Sequence, residues 1–488
     1  MNGARFLQAY VAFVLVAYTA GAFFVPPGMY SDSGWGFAVW RSMKCGASFN
    51  WLVGPDPSDI AQDTGGFLSW WTPGQYVIPG TLVDCGFSLG RALTLTVALF
   101  SALGVIGWYK VYRAFGFSDS VAWLSCAVIV STRFFALPFG IYNGGEILLF
   151  GASPFILLFA LRWSCLCWYQ GMLLIIAFLT GFFLKSSALV LALAICTAIP
   201  LSNSLTCSGG LRHWLLGCIK WGTVFSITYA VAHVAFNSRG GTPVSVAPKI
   251  ADQAAEKGLF AVAAPLLSSV SFDDLVSVAL SRPNRPLLPN WQERLVVILP
   301  LVLLACLAYY WVGKHYAGSR YGTVCLVILT VYVLVFTALN VLGSAVSSGT
   351  EARHYRCAGL VLLPGLLSVT LLHAPRTARS ASSALVLAMC LYGLSSYLNK
   401  CIYLKKRNSV GTQGFTQLVM GRRALQWLIR ADSDLPPSNG LFYLPYPELG
   451  LEVHQGRFIL THADFEGEAA LSKKNILARW TTCLSCYR

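Results

Sequence analysis

The sequence has 488 residues, of which 56% are apolar and only 11% are charged, and its formal net charge is +15. Its mean hydropathy of +0.61 lies far above that of soluble proteins, so a soluble globular protein is excluded. Membrane topology and attraction to anionic headgroups account for the basic excess. The sequence has no basic surface interleaved with aromatic residues, so it gives no indication of a nucleic-acid partner.

Eleven apolar stretches are long enough, or nearly so, to cross the roughly 30 Å hydrocarbon core of a bilayer as helices. They lie near residues 6–25, 91–109, 120–137, 147–161, 171–184, 186–203, 214–236, 294–312, 322–343, 357–373 and 382–398. The sequence therefore predicts an all-α polytopic membrane protein. Its membrane body would span residues 1–398, and a small external α/β tail would span residues 399–488.

Two long segments of the body are predicted to lie outside the bilayer, residues 26–90 and residues 237–293. The second contains residues 251–260, whose spacing suggests a short amphipathic piece on the membrane surface. In the tail, residues 412–430 have helical spacing, and residues 440–453 indicate a strand and a turn.

Basic residues concentrate in the short loops on one side of the predicted bundle, as Lys110, Arg162 and Arg320 illustrate. Because such residues tend to stay on the cytoplasmic side, we predict a cytoplasmic N-terminus and an external tail. The carboxylates of Asp32 and Glu146 would then both face the exterior.

Asp32 lies shortly after the first apolar span, at the predicted membrane surface. A carboxylate there can serve as a general base, and it can equally cap the helix that begins near Trp35. Glu146 opens the fourth span. It either complements the dipole of that helix or takes part in a site on the external face.

Lys185 interrupts an otherwise apolar run. A buried ammonium costs several kcal/mol unless it is paired or reaches water, which marks Lys185 as a functional candidate. The alternative is that its side chain reaches the headgroups. On the sequence alone, Lys185→Met is expected to leave the protein at least as stable.

A charged cluster, residues 351–356, precedes the tenth span and contains Glu351, Arg353, His354 and Arg356. A guanidinium matches two oxygens of a phosphodiester, so the cluster can bind a lipid phosphate. The alternative is a basic belt at the membrane interface.

The order of these features resembles that of the GT-C glycosyltransferases, the polyprenyl-phosphate-sugar enzymes that include protein O-mannosyltransferases and lipid A aminoarabinose transferases. Asp32 occupies the place of the acidic residue in their first external loop. Residues 73–76 resemble the Tyr/Trp-Pro-Pro-Gly-Tyr-like stretch that follows, with Thr72 where a proline is usual.

Three later features extend the resemblance. Glu146 lies where many members carry an acidic residue between the third and fourth spans, and Lys185 lies in a segment similar to their lysine-containing turn. Residues 351–356 resemble a Glu-x-Arg-Tyr stretch, although His354 here separates arginine from tyrosine.

The resemblance implies a GT-C fold and a sugar donor carried on undecaprenyl or dolichyl phosphate in a membrane, which we expect to be the bacterial plasma membrane. It implies Asp32 and Glu146 as catalytic residues, with Asp32 as general base. The donor phosphate would contact Lys185, Arg353, His354 and Arg356. Aromatic side chains expected to contact substrate are Trp70, Trp71, Tyr76 and Tyr355.

Several points stay open at this stage. The acceptor is a lipid, a glycan or a protein, and a divalent metal such as Mg or Mn is needed by some members of the superfamily only. The alternatives are a lipid-linked oligosaccharide flippase and a transferase of the O-antigen ligase or polymerase type. The predicted spans contain no interior Asp or Glu and the chain has no GxxxxGK[ST] motif, which disfavours ion-coupled and nucleotide-driven transport.

Overall fold

The architecture is given by a computed structural model, which describes residues 3–56, 59–69, 71–163, 166–206, 210–239, 254–272, 276, 291–341, 352–436 and 440–460. The helices of the membrane body are α1 (Gly3–Phe24), α2 (Ser31–Lys44), α3 (Gly74–Asp84), α4 (Leu89–Ala114), α5 (Asp119–Ser131), α6 (Arg133–Gly140), α7 (Gly145–Arg162), α8 (Trp168–Leu184), α9 (Ala188–Thr206), α10 (Gly210–Ala235), α11 (Ala254–Ser269), α12 (Trp291–His315), α13 (Arg320–Val341), α14 (Arg356–Leu367) and α15 (Arg376–Arg407).

Strands are short and lie outside the long helices. They are β1 (Gly28–Met29), β2 (Trp51–Pro55), β3 (Asp63–Phe67), β4 (Ile141–Tyr142), β5 (Leu441–Leu444) and β6 (Arg457–Leu460). The tail adds helices α16 (Arg422–Ser433) and α17 (Pro447–Gly450). Single turns of other helix types occupy Asn237–Arg239, Ala352–Tyr355 and Ser368–His373.

The prediction of an all-α polytopic membrane protein is confirmed. Within the described ranges, eight helices are long and apolar enough to cross a membrane, or up to nine if the pair α5 and α6, bent by 44°, is one span. Two shorter apolar helices, α8 and α9, lie where the fifth and sixth spans were predicted. The predicted number of about eleven therefore holds only when the bent pair and these two shorter helices are counted.

A short parallel strand pair joins two distant parts of the body. β1 follows α1 and pairs with β4, with Met29 opposite Tyr142. Because the two strands run in the same direction, the helices that follow them, α2 and α7, both start from the same end of the pair. In this way the segment between α1 and α4 is joined to the start of α7.

The segment predicted as an amphipathic surface piece at residues 251–260 is different in the structure. Residues 254–260, the part of this segment that the structure describes, belong to α11, which packs against α12, α13 and α14. Phe260, Ala261 and Ala264 on it are at most 1% exposed. The surface prediction is wrong because small alanines let neighbouring helices approach α11 on several sides, so its apolar residues are buried by protein.

The boundary of the tail also differs from the prediction at residue 398. Helix α15 continues to Arg407 and ends at Asn408, whose φ of 46° lies in the left-handed region that ends many helices. The tail helix begins at Arg422 instead of residue 412. In front of it, the chain bonds to the end of the first span: the backbone N–H of Thr416 donates to Pro27 O at 2.9 Å.

The described part of the tail thus packs on the segment between α1 and α4. Its last strand pair is parallel, β5 with β6. Arg457 in β6 pairs with Asp63 in β3, and the guanidinium of Arg41 in α2 donates to Gly450 O at 2.5 Å. These contacts place the tail directly over α2.

A substitution at Gly90 tests whether the tail packs against the start of α4. A Cβ at Gly90 would lie 1.8 Å from Gly414 O, a backbone atom of the tail, whereas a Cβ at Gly222 on α10 would meet nothing within 4 Å. We expect Gly90→Ala to lower the free energy of unfolding by about 1–3 kcal/mol through overpacking. Gly222→Ala should leave it unchanged or raise it by about 0.5–1 kcal/mol.

The measurement is thermal unfolding of both variants in detergent, together with proteolysis of the tail. Equal melting temperatures and equal protease resistance for the two variants would contradict a tail held against the start of α4.

Candidate active site

The first turn of α7 is held by a glutamine from the start of α3. Gln75 accepts through Oε1 a hydrogen bond from the backbone N–H of Gly145 at 2.7 Å, and its backbone oxygen accepts from the hydroxyl of Tyr142. Gly144 has φ 79°, and a Cβ there would lie 2.2 Å from Gln75 Oε1. Glycine at this position therefore allows the close approach that fixes the helix start.

Glu146 lies in this first turn, and its carboxylate is buried within a group of cations. Lys185 Nζ donates to Glu146 Oε1 at 2.7 Å, and both side chains are less than 10% exposed. Arg353 NH1 lies 3.5 Å from the same oxygen. Lys185 occupies the extended residue between α8 and α9, so two distant parts of the body contact one carboxylate.

His354 and Arg356 line the same small cavity, together with Glu146, Lys185 and Arg353. The guanidinium of Arg356 lies 4.2 Å from the centre of the Phe134 ring. It also donates to the backbone oxygen of Ser268 at the end of α11. We call these five charged or titratable residues, Glu146, Lys185, Arg353, His354 and Arg356, the Glu146 cluster.

The described lining of the cavity is mainly basic. Lys185, Arg353 and Arg356 line it together with the carboxylate of Glu146, and the side chain of Arg353 is 40% exposed. Glu146 Oε2 has no hydrogen-bond partner among the described residues. The cavity therefore has an accessible guanidinium at its edge, a group that suits an anion.

The same environment does not fit a divalent metal. In the part of the chain that the structure describes, no three His, Cys, Asp or Glu side chains come together as metal ligands. Glu146, which the resemblance implied as a catalytic residue, has Lys185 and Arg353 as its neighbours, and cations in those places repel a metal ion.

Asp32 lies in the first turn of α2 and is exposed. The neighbouring Ser33 donates through its hydroxyl to Tyr142 O at 3.5 Å, which ties this turn to β4. Asp32 and Glu146 therefore follow the same end of the β1–β4 pair, on two helices that start side by side.

The aromatic residues predicted to contact substrate differ in burial and in their distance from the Glu146 cluster. Tyr76 is 1% exposed, packs against Gly36 and donates its hydroxyl to Asn50, so it is a packing residue in this structure and its stacking on a sugar stays a prediction. Tyr355 is 3% exposed and packs on Phe336 at 4.6 Å between ring centres, which also makes it a packing residue.

Trp71 remains close to the site, because its ring lies 3.0 Å from where a Cβ of Gly144 would be. Trp70 and Glu351 lie outside the described residues. Sequence reasoning did not select Gln75 for a positioning role, although this residue lies within the motif at residues 73–76.

A second cavity, apolar and of about 310 Å³, shares no lining residue with the small cavity of the Glu146 cluster. At one end it is lined by Leu266 and Leu267, which directly precede the serine that Arg356 contacts. It continues between α12 and α15 past Leu304 and Ala308 to Trp311. Its lining is almost entirely aliphatic or aromatic.

No protein-family model matches the chain, and no curated protein matches its sequence. Among solved structures, ArnT from Cupriavidus metallidurans bound to undecaprenyl phosphate aligns with a TM-score of 0.50 and 13% identity, covering 94% of this chain and 87% of that chain. The Archaeoglobus fulgidus oligosaccharyltransferase in complex with Zn and sulfate aligns with a TM-score of 0.44 and 13% identity, covering 87% of this chain and 55% of that chain.

The likeness to ArnT extends over almost the whole of both chains. Its low identity makes it a statement about architecture alone. The protein is a polytopic membrane protein whose fold is similar to that of ArnT, which agrees with the fold that the resemblance in the sequence implied.

The ion pair between Lys185 and Glu146 changes the expectation that Lys185→Met leaves the protein at least as stable. Because Lys185 neutralises the buried Glu146, we expect Lys185→Met to lower the free energy of unfolding by about 3 kcal/mol, the lower end of the range for removing one partner of a buried pair. Because Arg353 still lies 3.5 Å from Glu146 Oε1 in this variant, we expect the loss of stability to stay at that lower end. The double variant Lys185→Met with Glu146→Gln should recover most of it.

A double-mutant cycle by thermal unfolding measures this coupling. Additive losses in the double variant, or a single Lys185→Met variant as stable as the parent, would contradict the pairing.

Proposed function

We propose that this chain is a membrane glycosyltransferase that moves a sugar from a polyprenyl-phosphate donor to an acceptor on the external face. The observation that supports this function best is the Glu146 cluster, whose basic side chains suit a phosphate. A prenyl chain needs an aliphatic surface, which the separate apolar cavity offers. The two are linked at the end of α11, where Leu267 lines the apolar cavity and the next residue, Ser268, accepts a hydrogen bond from Arg356.

In this proposal the donor phosphate lies against Lys185, Arg353, His354 and Arg356. Arg353 is the most exposed of the described cations, so it is the first contact for an incoming phosphate. Arg356 is fixed by Phe134 and Ser268 and needs little reordering on binding. The prenyl chain would follow the apolar cavity between α12 and α15.

The transfer step requires a base and a stabilised leaving group. Asp32 takes the proton of the acceptor hydroxyl while the acceptor oxygen forms its bond to the anomeric carbon. The bond from that carbon to the phosphate oxygen breaks, and the polyprenyl phosphate leaves with its additional negative charge. The cations of the Glu146 cluster stabilise that charge as it develops. Attack from the side of Asp32 would invert the anomeric centre.

The role of Asp32 is tested by Asp32→Asn. We expect transfer from a polyprenyl-phosphate sugar to fall about 10²-fold or more, the usual contribution of a general base. Asp84→Asn is the matched control, because Asp84 is an exposed carboxylate at the end of α3 that pairs with Lys44.

Equal transfer rates for the two variants would leave Asp32 with a structural role in the first turn of α2. Lipid translocation by the parent protein without any sugar transfer would favour the flippase instead.

The apolar cavity is tested by Ala308→Phe, which fills it at its middle. Ala308 is 7% exposed and lines the cavity, so the larger ring occupies space that a prenyl chain would need. We expect KM to rise about tenfold or more for an undecaprenyl donor, the scale of losing one or two buried methylene contacts. It should stay unchanged for a short-chain donor, and an equal effect on both donors would contradict this path.

A further inference from the structure

The tail places a second carboxyl group beside the turn that carries Asp32. Glu448 lies in α17 and is completely buried. Its Oε1 accepts a hydrogen bond at 3.0 Å from the hydroxyl of Ser31, the residue directly before Asp32. The two residues are 417 positions apart in the chain, so only the docking of the tail brings them together.

The other oxygen of Glu448 is turned to the same helix. A Cβ at Gly34, one turn further along α2, would lie 3.1 Å from Glu448 Oε2 and 2.8 Å from the backbone nitrogen of Glu448. Among the described residues Oε2 has no hydrogen-bond partner. A buried carboxylate oxygen without a partner is costly, and a protonated carboxyl group avoids most of that cost.

We infer that Glu448 is a positioning residue for the proposed sugar transfer, and that it and Asp32 form a carboxyl pair that keeps one proton on Glu448. With the proton on the buried member, the exposed Asp32 stays ionised and able to accept the acceptor's proton. The inference rests on the proposed function for the role of Asp32. The contact between tail and α2 stands independently of it.

Electrostatics agree with this arrangement. The pKa of Glu448 is raised to about 7, chiefly by burial. Hydrogen bonds from its own backbone N–H and from the Ser31 hydroxyl oppose the shift, and the negative charge of Asp32 makes the smallest contribution to it. Like charges on neighbouring carboxyls do not ionise together without cost, so the proton remains on the group that is less able to reach water.

The remaining charged groups around α17 have partners of their own. On α2, Arg41 contacts Gly450 O and Lys44 pairs with Asp84. On β6, Arg457 pairs with Asp63, and after α17 the carboxylate of Glu452 accepts hydrogen bonds from Thr412.

The pH dependence follows from the direction of the shift. A carboxyl with a raised pKa adds to the stability of the folded state most fully below its unfolded value near 4.5, and this contribution is lost as pH rises through about 7. Above that pH, ionised Glu448 repels Asp32 and loosens the contact between α17 and α2. Transfer should therefore decline on the alkaline side, roughly tenfold for each pH unit beyond the pKa.

The experiment compares the full-length parent with Glu448→Gln, which keeps an acceptor for Ser31 and cannot ionise. Its transfer rate should stay flat through the pH range in which the parent declines. Glu452→Gln is the matched control, because Glu452 is an equally buried carboxyl of the same tail with no contact to Ser31. It should keep the alkaline decline of the parent.

An infrared titration measures the proton directly and needs no substrate. The C=O stretch of a protonated carboxyl should persist to about pH 7 in the parent, be absent from Glu448→Gln, and titrate at lower pH in Asp32→Asn. A parent without this band, or a band unaffected by Asp32→Asn, would overturn the pair. If the band behaves as expected but no variant or parent transfers sugar, the proposed function fails while the carboxyl pair remains.

Discussion

The buried carboxylate of Glu146 is the constraint on which the arrangement of the start of α7, the α8–α9 turn and the approach to α14 depends. A single carboxylate inside a helical membrane body costs several kcal/mol unless cations surround it. Here Lys185 and Arg353 supply that charge from the α8–α9 turn and the approach to α14. Three segments far apart in sequence must therefore meet at one oxygen atom. Because a buried pair contributes little net stability, its main effect is to fix where the cations lie.

The segment between α1 and α4 and the tail fix the positions of the helices next to the Glu146 cluster. Gln75 fixes the start of α7, the β1–β4 pair places α2 beside it, and the tail covers α2. The two carboxyl systems then have opposite characters. Glu146 has Lys185 and Arg353 as neighbours, in a cluster that we propose binds a phosphate. Glu448 has a hydroxyl and another carboxylate as neighbours, so it holds a proton.

Much of the fold could be predicted from the sequence because apolar length alone identifies a membrane helix. Lys185 could be selected for a related reason, since a cation in an apolar run requires a partner. The sequence could not separate Tyr76 and Tyr355 from binding aromatics, because a buried ring and a sugar-stacking ring have the same composition around them. It also missed Glu448, whose importance depends on a contact across almost the whole chain that no local pattern encodes.

The central claim is that the cations of the Glu146 cluster bind the phosphate of a polyprenyl donor. Solid-state NMR of the protein in lipid, with nitrogen-labelled lysine and arginine side chains, measures this through phosphorus–nitrogen dipolar couplings to bound polyprenyl phosphate. The account predicts couplings to Lys185 and Arg353 at contact distance, within about 4 Å of the phosphate oxygens, which disappear in Lys185→Met and Arg353→Gln respectively. Bound lipid whose phosphorus couples to neither side chain would contradict it.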